Sequence, residues 1–170
     1  MQRPLPSEYN PYFQKYISLV GEGNFSALLN EGTDKAIRFF EQIPAEKHNY
    51  RYAADKWTIK EVLMHIIDTE RVMTYRALVA GRGDSTTPLH PMDENEYARN
   101  TDVTARSMDS LLKEFTAVRT ASAMLLEHLT EDQTKLPGNT TGHIVTPRAI
   151  GYILIGHVQH HTNVIVERYL

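Results

Sequence analysis

The sequence predicts an all-α fold, a four-helix bundle. Three observations predict it: four long segments carry apolar residues at i, i+3, i+4, i+7 spacing, each follows a residue suited to cap a helix, and no stretch shows a convincing strand pattern. At 170 residues the chain fits one domain spanning residues 1–170, long enough to bury a real core.

Residues Met1 to Tyr9 read as an irregular lead-in. Asn10 and Pro11 then supply an N-cap and a first-turn proline for a short helix through Tyr12, Phe13, Tyr16, Ile17 and Val20, which Gly21 and Gly23 end. Asn24 caps the first long helix, from about Phe25 to Gln42. Its inward positions are Leu28, Leu29, Ala36, Ile37 and Phe40, and Pro44 stops it. A polar connection from Ala45 to Lys56 ends at the lone Trp57. Next comes a capping box, Thr58-Ile59-Lys60-Glu61, in which the threonine hydroxyl and the glutamate carboxylate each satisfy the other residue's free amide. The second long helix starts there and runs through Val62, Leu63, Ile66, Ile67, Met73 and Ala77 to Gly81-Arg82-Gly83.

From Gly81 to about Arg106 lies a long connection rich in Pro, Asp, Asn and Thr, with a single turn expected at Asp93 to Tyr97. Its length lets the third helix run parallel to the second instead of returning as a hairpin. Ser107 caps that third helix, Met108 to Leu129, whose predicted core positions are Leu111, Leu112, Phe115, Val118, Ala121, Leu125 and Leu129. His128 falls in its last turn, where the helix dipole explains it. Thr130-Glu131-Asp132-Gln133 suggests one further turn, and Pro137 to Gly142 reads as a turn-rich loop. Thr146-Pro147 then launches the fourth long helix, to about Arg168.

Composition narrows the function classes. A formal charge of -3 with no basic stripe offers no electrostatic footprint for nucleic acid. Cysteine is absent, so there is no disulfide framework, thiolate metal site or cysteine nucleophile, and thiol chemistry would need an external thiol. The N-terminus lacks the apolar core of a signal peptide. No run approaches the roughly 18 apolar residues of a membrane span, so a cytoplasmic location and no membrane partner are expected.

Chemistry concentrates in Gly156-His157-Val158-Gln159-His160-His161. On one helix His157 and His161 lie only about 40° apart, and they share their face with Ile150, Ile153, Leu154 and Val164. Both rings should point inward. Two buried polar rings cost about 1–3 kcal/mol each without partners, and a pair at this spacing can share one cation. His160 lies on the flank as a surface or supporting residue. Val158 stands where a zincin carries its general base, so this is not that motif. Histidines 48, 90 and 143 read as surface loop residues.

His65, on the second helix, shares a side with Glu61, Asp68, Thr69, Val72 and Arg76. Three readings compete for that face. It is a solvated surface, or it holds an Asp68–Arg76 ion pair, or His65 completes a three-histidine site with His157 and His161 while Asp68 and Arg76 line its mouth.

The run Lys56-Trp57-Thr58-Ile59-Lys60-Glu61-Val62-Leu63-Met64-His65-Ile66-Ile67-Asp68-Thr69-Glu70, then Arg76, then Gly156-His157 and His160-His161, resembles the DinB-like superfamily of damage-inducible proteins, which includes bacillithiol transferases. The similarity extends from Tyr9 to Tyr169 and is most specific in the W-T-x-x-E-x-x-x-H-x-x-D segment paired with the distal H-x-x-H-H. It implies an up-down-down-up bundle, often dimeric, holding a divalent metal on His65, His157 and His161. Three ligands leave a coordination position open, as in catalytic zinc sites, and zinc or nickel suits the nitrogen set. The leading expectation is a metal-dependent S-transferase that joins a small-molecule thiol to an electrophile, with Asp68 and Arg76 as catalytic residues that position the substrate or orient ligands. A hydrolase using the same site and a non-catalytic stress-induced bundle that binds metal or a partner are the alternatives.

Overall fold

The long helices begin where the capping residues stand. Asn24 Oδ1 accepts the Ala27 amide at 3.1 Å and opens α2, Phe25–Glu41, while both halves of the Thr58 and Glu61 capping box open α3, Ile59–Gly81. Ser107 accepts the Ser110 amide before α5, Met108–Glu127, and Thr146 accepts the Ala149 amide before α6, Pro147–Arg168. Two shorter helices accompany them: α1, Gln14–Ile17, which continues a 3-10 turn at Pro11–Phe13, and α4, Glu94–Arg99, inside the long crossover. This computed structural model describes residues 1–140 and 142–170.

Helix α3 packs between α5 and α6, and α2 lies between the same two on the opposite side. Lys60, early in α3, donates to the Thr104 and Arg106 carbonyls just before α5, while Gly81 at its end abuts Leu129 just beyond α5. Those two helices are therefore parallel. By the same reasoning α6 is antiparallel to α3, because His65 meets His157 and His161 while Gly138, ahead of α6, lies against Ala80. Phe25 at the start of α2 touches Gly151 and Tyr152 at the start of α6. The bundle is up-down-down-up, as expected.

Apolar side chains fill most of its core, with Phe40, Leu63, Ile66, Ile67, Leu111, Phe115, Ile150 and Ile153 almost fully buried. Each such side chain contributes about 1.5–3 kcal/mol by leaving water. One helix departs from the predicted face. Ala121 is exposed and Val118 only half-buried, whereas Arg119 and Ser122 point inward. The physical reason is an ion pair: Arg119 Nη2 stands 2.7 Å from Glu70 Oε2 on α3, with both side chains at most 5% exposed.

The predicted loop at Pro137 to Gly142 is instead half of an antiparallel hairpin, β1 Gly138–Thr140 and β2 His143–Val145, paired Gly138 to Val145 and Thr140 to His143. Thr141 of that loop lies outside the described residues. Strands of three residues are too short to show alternation, so sequence periodicity misses them. Gly138 lets the hairpin sit on α3, since a Cβ there would meet the Ala80 Cβ at 3.0 Å and the Val145 carbonyl at 3.2 Å. The crossover joins this layer through the Leu89 amide, which donates to the Asn139 carbonyl at 3.3 Å.

Glycine matters most at position 156. A Cβ there would stand 2.0 Å from the Tyr16 carbonyl oxygen, so the end of α1 rests directly on α6. Gly156→Ala is expected to cost roughly 3 kcal/mol, at the upper end for overpacking, because the obstacle is backbone and has no rotamer to yield. Chemical denaturation measures it. A loss below about 1 kcal/mol would show that α1 can lift away freely.

Candidate metal centre

Helical spacing and the antiparallel meeting of α3 with α6 bring three imidazoles to one point. His157 Nε2 lies 3.2 Å from His65 Nε2 and 3.0 Å from His161 Nε2. These atoms form the group of potential metal ligands found among the described residues. Each neutral ring offers at Nε2 either one proton or one lone pair, so three such atoms cannot satisfy one another. A shared cation can accept all three lone pairs. A tetrahedral ion with bonds near 2.0–2.1 Å keeps its ligand nitrogens roughly 3.3 Å apart, close to the spacing seen here. The residues fit a metal.

Burial sets their protonation. It depresses the His65 imidazole from 6.5 to about 4, and it pulls His157 and His161 well below their usual value, helped by the mutual repulsion of the rings. Neutral rings are the form a metal requires. The unfolded chain therefore binds more protons than the folded one between 6.5 and about 4. Stability of the metal-free protein is expected to be complete above that window and to fall as the pH is lowered through it. Denaturant midpoints measured across the window check this, and a flat profile would contradict it.

The three rings open onto a chamber of about 570 Å³. Its walls come from five places in the sequence. Tyr16 of α1 packs edge-on against His157 and His160, at 5.2 Å between ring centroids in each case, and Trp57 leans on His65 at 4.7 Å. Thr69, Val72, Met73 and Arg76 continue the His65 face along α3. Met92 and Glu94 arrive from the crossover, and His143 and Ile144 from the hairpin.

Of the sequence candidates, His65, His157 and His161 converge and Arg76 lines the chamber. Asp68 does not. It pairs with Arg71 at 3.4 Å rather than with Arg76, and it borders a separate cavity of about 10 Å³ that also touches His65, room for one water. Burial holds its carboxyl above the ordinary value, with Arg71 opposing. His65 Nδ1 is buried without a hydrogen-bond partner among the described residues. His160 lines the chamber beside His161 instead of standing on the outer surface, and exposed His143 lines it too. Sequence reasoning missed the roles of Tyr16, Met92 and Ile144. Trp57 carried a signal, because it opens the capping-box motif.

No helix is long and apolar enough to cross a membrane among the described residues. The family model of the DinB superfamily matches residues 28–165. No curated protein matches the chain significantly in sequence. Among solved structures, YfiT from Bacillus subtilis, described as a probable metal-dependent hydrolase with an unusual four-helix bundle topology, is 21% identical with a TM-score of 0.74. The match covers 98% of this chain and 90% of that one. A mycothiol-dependent maleylpyruvate isomerase is 14% identical with a TM-score of 0.64, covering 82% of this chain and 58% of its own. A DinB-like protein of Bacillus subtilis is 18% identical with a TM-score of 0.59, covering 86% and 90% respectively.

Proposed function

The chain belongs to the DinB superfamily, and from that premise we propose that it is a metal-dependent enzyme joining a low-molecular-weight thiol to an electrophile. One observation carries the reading: the imidazole nitrogens of buried His157 and half-buried His65 and His161 lie within 4.8 Å of one another on the wall of a chamber large enough for two small reactants. Similarity of fold to a mycothiol-dependent enzyme supports it.

His65, His157 and His161 would hold the ion as neutral donors, and zinc or nickel suits them. When bound, the ion supplies Lewis acidity at an open position, lowering the proton affinity of a thiol or water there. The chain's own residues do the rest. Tyr16 and Trp57 wall the rings from bulk water and restrict approach to the chamber side. His160 lines the same end without joining the convergence, which suits it to take the proton that an incoming nucleophile releases. Asp68 stands across a cavity with room for one water from His65, and through such a water it would orient the ring rather than touch substrate. The thiol comes from solution, since the chain has no cysteine.

Hydrolysis at the same centre is a second reading, favoured by the similarity to YfiT. A panel decides between them. The metal-loaded protein is incubated with small thiols and a generic alkylating electrophile, and separately with activated esters and amides without thiol. Metal- and thiol-dependent conjugation is the expected result. Ester or amide cleavage with no conjugation would establish the hydrolase, and full metal occupancy with no turnover of either panel would overturn both.

A further inference from the structure

Three arginines are buried to more than nine-tenths, and they differ in one respect. Arg119 faces Glu70 and Arg148 faces Glu8, whereas Arg76, 7% exposed, has no carboxylate within salt-bridge distance among the described residues. Its contacts are neutral: Nη2 donates to the His90 carbonyl at 2.6 Å and Nη1 to the Met73 sulfur at 3.3 Å. A guanidinium has five N–H donors, so further donors remain free for a ligand. Desolvating a cation without a counter-charge is unfavourable, and a planar fork of donors matches a carboxylate. Of the three, Arg76 is also the one on the chamber wall.

Its place along the chamber is set by the helix. Arg76 follows His65 by 11 residues, about 16 Å of helical rise between their Cα atoms. Its side chain slants back toward the histidines. Between the two ends the wall is mostly apolar, with Val72, Met73, Ile153 and Ile144 beyond Thr69. The chamber thus has a metal-binding end, a mostly apolar middle and a lone buried cation.

We propose that Arg76 is a carboxylate anchor, and that one reactant carries a carboxylate separated by an apolar stretch from the atom that reacts near the histidines. The identity of the reacting end rests on the proposed function; the anchor itself does not. Trp57, the single tryptophan, lines the chamber and reports binding by fluorescence. Hexanoate is expected to bind wild-type protein about tenfold or more tightly than hexan-1-ol, as a charge-assisted pair requires. Arg76→Gln should abolish that preference and Arg76→Lys should restore part of it.

Equal binding of acid and alcohol by the wild-type protein would overturn the anchor even if neither variant folds. The comparison is repeated on metal-free His157→Ala protein. A preference kept there supports Arg76; one lost there and retained in Arg76→Gln places the carboxylate at the histidines and overturns the proposal. Turnover then identifies the source. The KM values of 3-mercaptopropionate against 2-mercaptoethanol, and of 4-(bromomethyl)benzoate against its amide, are compared in wild type and Arg76→Gln. An acid preference lost on substitution assigns the carboxylate to that reactant. If the chain turns over no thiol, the hexanoate comparison still decides the anchor, so the two proposals fail separately.

Discussion

Replacing His157 with alanine is expected to abolish metal binding and to lower metal-dependent turnover by at least about 100-fold. His157 is the central ring, within 3.2 Å of both partner nitrogens, and it is only 4% exposed. Two histidines from different helices remain after the change. They cannot reproduce a three-point chelate. A metal held by the native state alone stabilises it by about 4 kcal/mol at a thousand times its Kd, so added zinc or nickel should raise the Tm of wild type and leave that of the variant unmoved. His160→Ala should keep the metal while slowing turnover. Elemental analysis with paired melting curves checks both, and a His157→Ala protein carrying one ion per chain would remove the basis of the proposed chemistry.

Arg119→Met should cost about 3–5 kcal/mol of stability, because it strands the Glu70 carboxylate in the middle of the bundle. Burial already holds Glu70 above its ordinary value against the pull of Arg119, and neither carboxylate oxygen has a well-aligned hydrogen bond. With the arginine gone, the folded state favours protonated Glu70 still more strongly. The loss is therefore smallest below the ordinary value of 4.5, where the group is neutral in both states, and grows as the pH rises. Glu70→Leu combined with Arg119→Met removes both charges and should recover most of the stability. A denaturation cycle over the four proteins measures this, and a single-variant loss under about 1 kcal/mol would contradict it.

That pair also shows where the sequence stops being legible. Thr58 with Glu61, Asn24, Ser107 and Thr146 announced the four long helices, because capping is local chemistry written in adjacent residues. His157 and His161 were visible as a pair for the same reason. Arg119 and Ser122 disguised the inward face of α5, since a polar residue turned inward breaks the apolar stripe and its partner, Glu70, lies 49 positions away. The chamber walls were hidden more deeply. Nothing near Tyr16 or Ile144 says that α1 and the hairpin will close over a site built from α3 and α6.

The diagonal placement of α2 across from α3 bears on how the molecule comes into being. Helices α2 and α3 do not pack on each other, and the consecutive long helices that do nest, α3 and α5, are parallel and need the long crossover between them. No early antiparallel helical hairpin can therefore bury its apolar stripe and wait for the rest. Long-range closure must precede reward, which slows folding relative to an up-and-down bundle of similar size. Helix α6 completes the assembly, and a chain still lacking it leaves bare the surfaces of α2 and α3 that face it. Productive collapse, and with it the meeting of the three histidines, awaits the emergence of α6.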